Sequence, residues 1–374
     1  MKLSFINKKY LGIFTAVLIA FTPLASAYAD GSNVLTYDEA IKIALRNNRN
    51  LTKLNDQLDN LDKQLTTPSG APPFILQVQP SLSAQLTQKS VKLNNASKTV
   101  KLNFETLTDA LELSIKGSFY KIDILKDSIA MKEKKLLDAQ DKHRILSLKF
   151  RNGMASKFEV EQSEIGMKQL NEDISAEKLS LEKEFENLKS TLGTRVFNYT
   201  DVEELPVEYT LVDELHIKPE YQAAKAVTDS PAIFAQQKAI EEAELGVVLT
   251  PLFIMGAGTD AGITPVNIQK SEIKLKDTEL RNAKDELYFT VVGTYNNIKS
   301  IENNIAQLEV QLDTLNKNID AMKARLDAGV VSKRDLDNLL IMKEELVVGL
   351  DSLRASHTML LMQYQKPHLL GLSS

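Results

Sequence analysis

Proline is missing from two long stretches of this chain, residues 81–205 and 266–366. It recurs at 68, 72, 73 and 80 before the first, at 206, 219, 231, 251 and 265 between them, and at 367 after the second. Inside a helix proline removes a backbone donor and clashes with the preceding turn, so its absence over such lengths permits helices longer than a compact domain is wide. Both stretches are rich in Leu, Lys, Glu, Gln and Asn, and each is interrupted near its middle by one pattern. Gly153-Met154-Ala155-Ser156-Lys157 precedes Glu159 in the first, and Gly329-Val330-Val331-Ser332-Lys333 precedes Asp335 in the second. Each stretch therefore reads as a helix, a tight turn and a helix returning.

Hydrophobic spacing supports this. Ile298, Ile301, Ile305, Leu308, Leu312, Leu315, Ile319, Met322 and Leu326 alternate steps of three and four, the seam of knobs-into-holes packing. Moving back 176 residues, the separation of the two turn glycines (329 − 153), lands on Ile122, Leu125, Ile129, Lys132, Leu136, Ala139, His143, Leu146 and Phe150. Most of these are apolar too. Gly117 and Gly293 share the same offset, so the chain is an internal duplication.

The returning helices continue the stripe, through Val160, Met167, Leu170, Ile174, Leu181, Phe185 and Leu188 in the first copy and Leu336, Leu339, Leu346, Leu350, Leu353 and Leu360 in the second. They end near Leu192-Gly193 and Leu370-Gly371. Each copy opens with a shorter helical pair, reaching about Leu65 and about Leu249. The expectation is an all-α fold of long antiparallel coiled-coil hairpins in two tandem repeats, 30–205 and 206–374. The segment from Leu102 to Phe150 alone spans roughly 75 Å at about 1.5 Å per residue. One chain supplies only an open layer of such rods, and closing it calls for identical copies in a ring.

Composition narrows the function. A formal net charge of -5 without clustered Lys and Arg argues against nucleic acid. Residues 1–29 carry Lys2, Lys8 and Lys9, an apolar run from Tyr10 to about Pro23, and Ala27 and Ala29 as a small-residue cleavage signal. This reads as a secretory signal peptide, the alternative being an uncleaved anchor. Export with no cysteine leaves stability to packing and excludes both thiol chemistry and a lipidated cysteine. The four histidines, 143, 216, 357 and 368, have no metal-ligand spacing, GAGTDAG at 256–262 lies outside any βαβ unit, and no catalytic frame occurs. No enzyme activity, cofactor or metal is expected.

The entry stretch AIKIALRNNRNL (residues 40–51), the two turns, the terminal Leu-Gly pairs and the duplication together resemble the TolC family of outer-membrane efflux proteins. Arg49 stands where that family often has proline, whereas Pro231 keeps it in the second copy. The resemblance implies an exported homotrimer in the cell envelope, with hairpins forming a tapering tunnel that opens when a periplasmic adaptor (a membrane fusion protein) of a tripartite pump with an inner-membrane exporter docks at its tip. It places Gly153, Met154, Ala155 and Ser156, with Gly329, Val330, Val331 and Ser332, at adaptor-facing tips, and Asp335, with Asp337 beside it, at a gate. The residues also have a local reading. A glycine after a long helix serves as a left-handed cap, and Ser followed by an acid three residues on forms an N-cap.

The departure lies in the inserts between the short and long helices, 70–85 and 249–269. Two membrane strands of about ten residues each, plus a turn, do not fit there. Short irregular or weakly β inserts are expected instead. Their apolar residues Phe74, Ile75 and Leu76, and Leu252, Phe253 and Ile254, either face a lipid surface or pack on each other to close the bundle. Two functions follow: an efflux duct component, or an extracytoplasmic coiled-coil scaffold built on the same helices.

Overall fold

The computed structural model describes residues 34–66, 80–194, 198–253 and 260–372. The leader 1–29 lies outside them. Among the described residues the chain is helical apart from one pair of two-residue strands, as the duplicated hairpins require. The first copy comprises β1 (Val34–Leu35), α1 (Tyr37–Asn47), α2 (Arg49–Thr66), α3 (Pro80–Arg151), α4 (Lys157–Thr191) and β2 (Asp201–Val202). A 3-10 turn at Val212–Leu215 leads into α5 (Pro219–Asp229), α6 (Pro231–Phe253), α7 (Asp260–Asp327), α8 (Lys333–Gln365) and a final 3-10 segment, Pro367–Leu372.

The stripes account for the long helices. All nine positions from Ile298 to Leu326 are buried or half-buried, and nearly every residue between them is exposed. The equivalent stripe on α3 is buried or half-buried except at Phe150, which is exposed beside the tip, and several residues between its positions, such as Met131 and Asp138, are covered too. Lys132, the polar break in that stripe, is answered by Glu177 across the hairpin at 2.9 Å. With 72 residues α3 runs about 108 Å, longer than the Leu102–Phe150 span expected. The extra turns come from residues 80–101, whose Ala84 and Ser97 are buried.

The rods form one layer. In the half that carries the turns the neighbours run α4, α3, α8, α7; in the other half they run α2, α3, α6, α7. Helix α3 thus joins the two copies along its whole length, while α2 with α4 at one side and α7 at the other remain edges. Each copy has its own core at the waist. In the first, Ala40 and Ala44 of α1 meet Ile115, Phe119, Ile122, Leu188 and Leu192. In the second, Ala223 and Ala226 of α5 meet Leu287, Val291, Ile298, Leu361 and Tyr364. Ala40, Ala44, Ala223 and Ala226 are fully buried because only a small side chain lets the short helix lie against the long pair.

Residues 198–218 form a strap across this waist. β2 pairs in parallel with β1, Val34 against Asp201 and Leu35 against Val202. Glu203 accepts the Tyr37 N–H at 2.9 Å. The strap then passes over α3, where the Tyr120 hydroxyl donates to Pro206 O, and over α8, where Thr358 donates to Glu208 O. It reaches α7 through Val212 and Asp213. This strand pair and strap are absent from the hydrophobic pattern.

The inserts correct the expectation in part. Their described residues are helical, with no β structure: 80–85 open α3, 249–253 close α6, and 260–269 open α7. Pro251 lies in the last turn of α6 and Pro265 in the second turn of α7, near the helix ends rather than at mid-helix.

Candidate functional site

The two turns are built alike, atom for atom. Gly153 has φ +72° and Gly329 +70°, a left-handed conformation that a Cβ disfavours. At the first turn the N–H of Gly153 donates to Phe150 O at 2.9 Å and that of Met154 to Lys149 O at 2.8 Å. At the second, Gly329 donates to Leu326 O and Val330 to Arg325 O, each at 2.9 Å. Both are Schellman closures, which satisfy the last carbonyls of the outgoing helix.

Each return helix begins with a reciprocal capping box. Ser156 Oγ accepts the Glu159 N–H at 3.2 Å while Glu159 Oε2 accepts the Ser156 N–H at 2.7 Å. Ser332 Oγ accepts the Asp335 N–H at 3.3 Å while Asp335 Oδ2 accepts the Ser332 N–H at 3.1 Å and its hydroxyl at 2.7 Å. The backbone and then the hydroxyl of Ser156 hold the Glu159 carboxyl below its ordinary range; the Ser332 hydroxyl and then its backbone do the same for Asp335. Asp335, given a gate role by resemblance, here has its carboxylate engaged in the cap. Asp337, two residues on, is half-buried.

What the turns offer to a partner is apolar. Met154 is 72% exposed and Val330, its counterpart 176 residues later (330 − 154), is 74% exposed. Ala155 and Val331 behind them are half-buried. Phe158, 67% exposed, adds an aromatic ring that periodicity did not single out. The available signal was its place off the α4 stripe, one residue past Lys157. Ties between α3 and α8 keep the turns level: Lys134 to Glu344 at 2.6 Å, Lys135 to Glu345 at 2.8 Å and Lys142 to Asn338 at 2.8 Å. This register sets Gly329 opposite the last turn of α3, within about one helical turn of Gly153. The structure therefore brings all eight tip residues together at one end.

Leu252 and Phe253 lie at the other end, at the close of α6; Phe74, Ile75, Leu76 and Ile254 lie outside the described residues. No helix among the described residues is long and apolar enough to cross a membrane. No group of three or more His, Cys, Asp or Glu residues is placed to hold a metal ion among them either. His357 is fully buried, with Nε2 3.2 Å from Glu302, and His368 lies 2.8 Å from Asp109.

No protein-family model matches the chain, and no curated protein matches its sequence. Solved structures do match in shape. VceC, an outer membrane protein of Vibrio cholerae, aligns with a TM-score of 0.62 at 12% identity, over 90% of this chain and 96% of that one. A membrane protein from Pseudomonas aeruginosa aligns at 0.60 with 10% identity, over 92% and 94%. The MtrE outer membrane channel of Neisseria gonorrhoeae, in its open state, aligns at 0.59 with 13% identity, over 92% and 93%. The chain has the TolC-like fold. Within that fold the likeness runs through both copies, since the alignments cover nine-tenths of the chain.

Proposed function

We propose that this chain is one subunit of an envelope export duct, a homotrimeric ring of TolC-like hairpins whose tips dock the adaptor of a tripartite pump. The observation that carries the reading is the open helical layer with two unfinished edges. On α7, Ile268, Leu275, Phe289 and Val310 are exposed and separated by multiples of seven, so they lie along one outward seam. On α4, at the opposite edge, Phe158, Ile165 and Leu179 are exposed at the same spacing. A seam of this kind buries itself on another helix. Two different edges meeting head to tail close a ring when the rotation permits it. The level tips of each copy then gather at one mouth, with Met154, Phe158 and Val330 as the apolar contacts for an adaptor and Asp335 and Asp337 near the constriction. In this reading Phe74 to Leu76 and Leu252 to Ile254 keep the lipid-facing role expected from the sequence.

Light scattering on the chain from Asp30 to Ser374, with and without detergent, tests the ring. A trimer is expected, and Phe289→Lys with Leu275→Lys is expected to reduce it to a folded monomer. A monomer or dimer of the unsubstituted chain under both conditions would replace the duct by a scaffold. Docking is tested separately by Gly329→Glu in a strain where deletion of the gene raises drug sensitivity. The substitution is expected to reproduce the deletion, and full resistance would refute adaptor contact at that tip.

A further inference from the structure

The waist strap is fastened at both ends by latches that use the same helix positions with the charges exchanged. Asp123 and Lys126 on α3 precede Lys299 and Glu302 on α7 by the repeat offset of 176 (299 − 123 and 302 − 126). On α7 the acid comes second. Glu302 Oε1 accepts the Val212 N–H of the strap at 2.6 Å, and Lys299 Nζ lies 2.8 Å from Glu302 and 2.9 Å from Asp213. The Tyr295 hydroxyl also donates to Asp213, at 2.7 Å, and His357 Nε2 approaches Glu302 at 3.2 Å. On α3 the acid comes first. The backbone of Leu205 in the strap acts on Asp123, lowering its carboxyl, and Lys126 pairs with Asp201.

The exchange leaves the ends unequal. At α7 two carboxylates share Lys299, with Tyr295 and His357 adding contacts. At α3 the carboxylates of Asp123 and Asp201 share Lys126, which is committed to Asp201 and stands 3.7 Å from Asp123, and Glu204 adds a further negative charge acting on Asp123. The Asp123 side chain is only 20% exposed, and its Oδ2 is buried with no hydrogen-bond partner among the described residues. From α4, Glu184 is occupied by Lys121 and Ser118. From α8, Arg354 acts on Asp351, which faces Asp127 and Glu204 and whose own carboxyl is raised by burial. Burial, with Glu204 and Asp201 adding to it, pushes the Asp123 carboxyl up to about 6 against the pull of Lys126 and Leu205.

We propose that Asp123 is a proton-operated latch for the first end of the strap. Protonated, it leaves Lys126 to Asp201 and removes one negative charge from the acid cluster, so residues 201–205 stay down on α3. Ionised, it repels Asp201 and Glu204 and that end loosens. The α7 latch is the control within the molecule, because its acid carries Lys299 as a direct partner. A folded-state value raised above the ordinary aspartate value means that the latch is fully closed in acid and is lost as pH rises through about 6.

Hydrogen exchange of the full chain, read by mass spectrometry at pH 5 and pH 7.5 and corrected for intrinsic exchange rates, tests this. Protection of peptides covering 199–206 is expected to be severalfold greater at pH 5, with about tenfold as the ceiling for a carboxyl raised to about 6 and less than that after solvent screening. Peptides covering 209–216 are expected to change little. Asp123→Asn carries no titratable proton and is expected to hold 199–206 at both pH values. Glu204→Gln, which leaves Asp123 in place, is expected to keep the response but shift its midpoint to lower pH. Equal responses at both ends of the strap, or an unchanged profile in both variants, would overturn the proposal.

Discussion

Replacing Gly193 by alanine is expected to destabilise the chain well beyond the same replacement at Gly329, although both hold nearly one backbone conformation, φ +63° and +70°. A Cβ at Gly329 would meet nothing within 4 Å, so Gly329→Ala costs only the left-handed penalty, about 1–2 kcal/mol. A Cβ at Gly193 would stand 3.1 Å from Asn47 O and 3.2 Å from Asn47 Cβ. Asn47 has little freedom to withdraw. It is the last residue of α1, and its Nδ2 donates to Leu192 O at 3.2 Å, so moving it opens the seam between α1 and α4. Adding roughly 1–3 kcal/mol for an overpacked contact brings Gly193→Ala to about 2–5 kcal/mol. The assay is urea unfolding of the chain from Asp30 to Ser374, followed by far-ultraviolet circular dichroism and compared through the midpoint at unchanged slope. Gly329→Asn serves as a control, because asparagine tolerates the left-handed region and is expected to lose less than alanine. Equal midpoints for Gly193→Ala and Gly329→Ala would refute the contact argument and leave backbone strain as the sole cost.

Two further outcomes follow from the seams and the caps. Ile305→Ala, at a fully buried stripe position, is expected to cost about 2–5 kcal/mol in the same unfolding experiment, whereas Val310→Ala, 68% exposed, is expected to change the stability of a monomer by less than about 0.5 kcal/mol. Ser332→Ala is expected to cost about 1 kcal/mol through loss of the cap. The Asp335 carboxyl lies below its ordinary value in the folded state, so its contribution is present above the unfolded pKa and fades as pH falls through the folded one. Melting temperature is accordingly expected to fall between pH 6 and pH 3 in the unsubstituted chain, and by a smaller amount in Asp335→Asn.

The rods, the turns and the duplication were legible because each rests on a local or periodic signal. The 298–326 stripe marks its own buried face, and Gly153 and Gly329 mark helix ends that need a left-handed residue. Helix extent was harder to read. Residues 80–101 carry Gln, Lys, Asn and Ser among few strong apolar positions, so their place in α3 depends on packing against α2 and α6. The prolines misled in the other direction: Pro251 and Pro265 read as boundaries but sit inside helix ends. The strap escaped notice for a physical reason. Its fastenings are single polar contacts between residues far apart in the chain, such as Tyr37 with Glu203 and Lys299 with Asp213, and they leave no period. The exchanged charges at 123, 126, 299 and 302 were visible at the repeat offset, but nothing in the sequence says that a strap lies against them. At the tips, the capping boxes could be read from Ser-x-x-Glu and Ser-x-x-Asp, and the exposure of Phe158 only from its place off the α4 stripe.

The length of α3 makes it a lever. Gly117, at the waist core, and Gly153, at the tip, are 36 residues apart (153 − 117), about 54 Å along the helix. A tilt of about 10° at the waist therefore carries the tip sideways by about 9 Å, close to the width of a helix, while side chains at the pivot shift by little. A hinge placed under the strap has high gain: sub-ångström repacking there is enough to separate or join the ends of neighbouring rods.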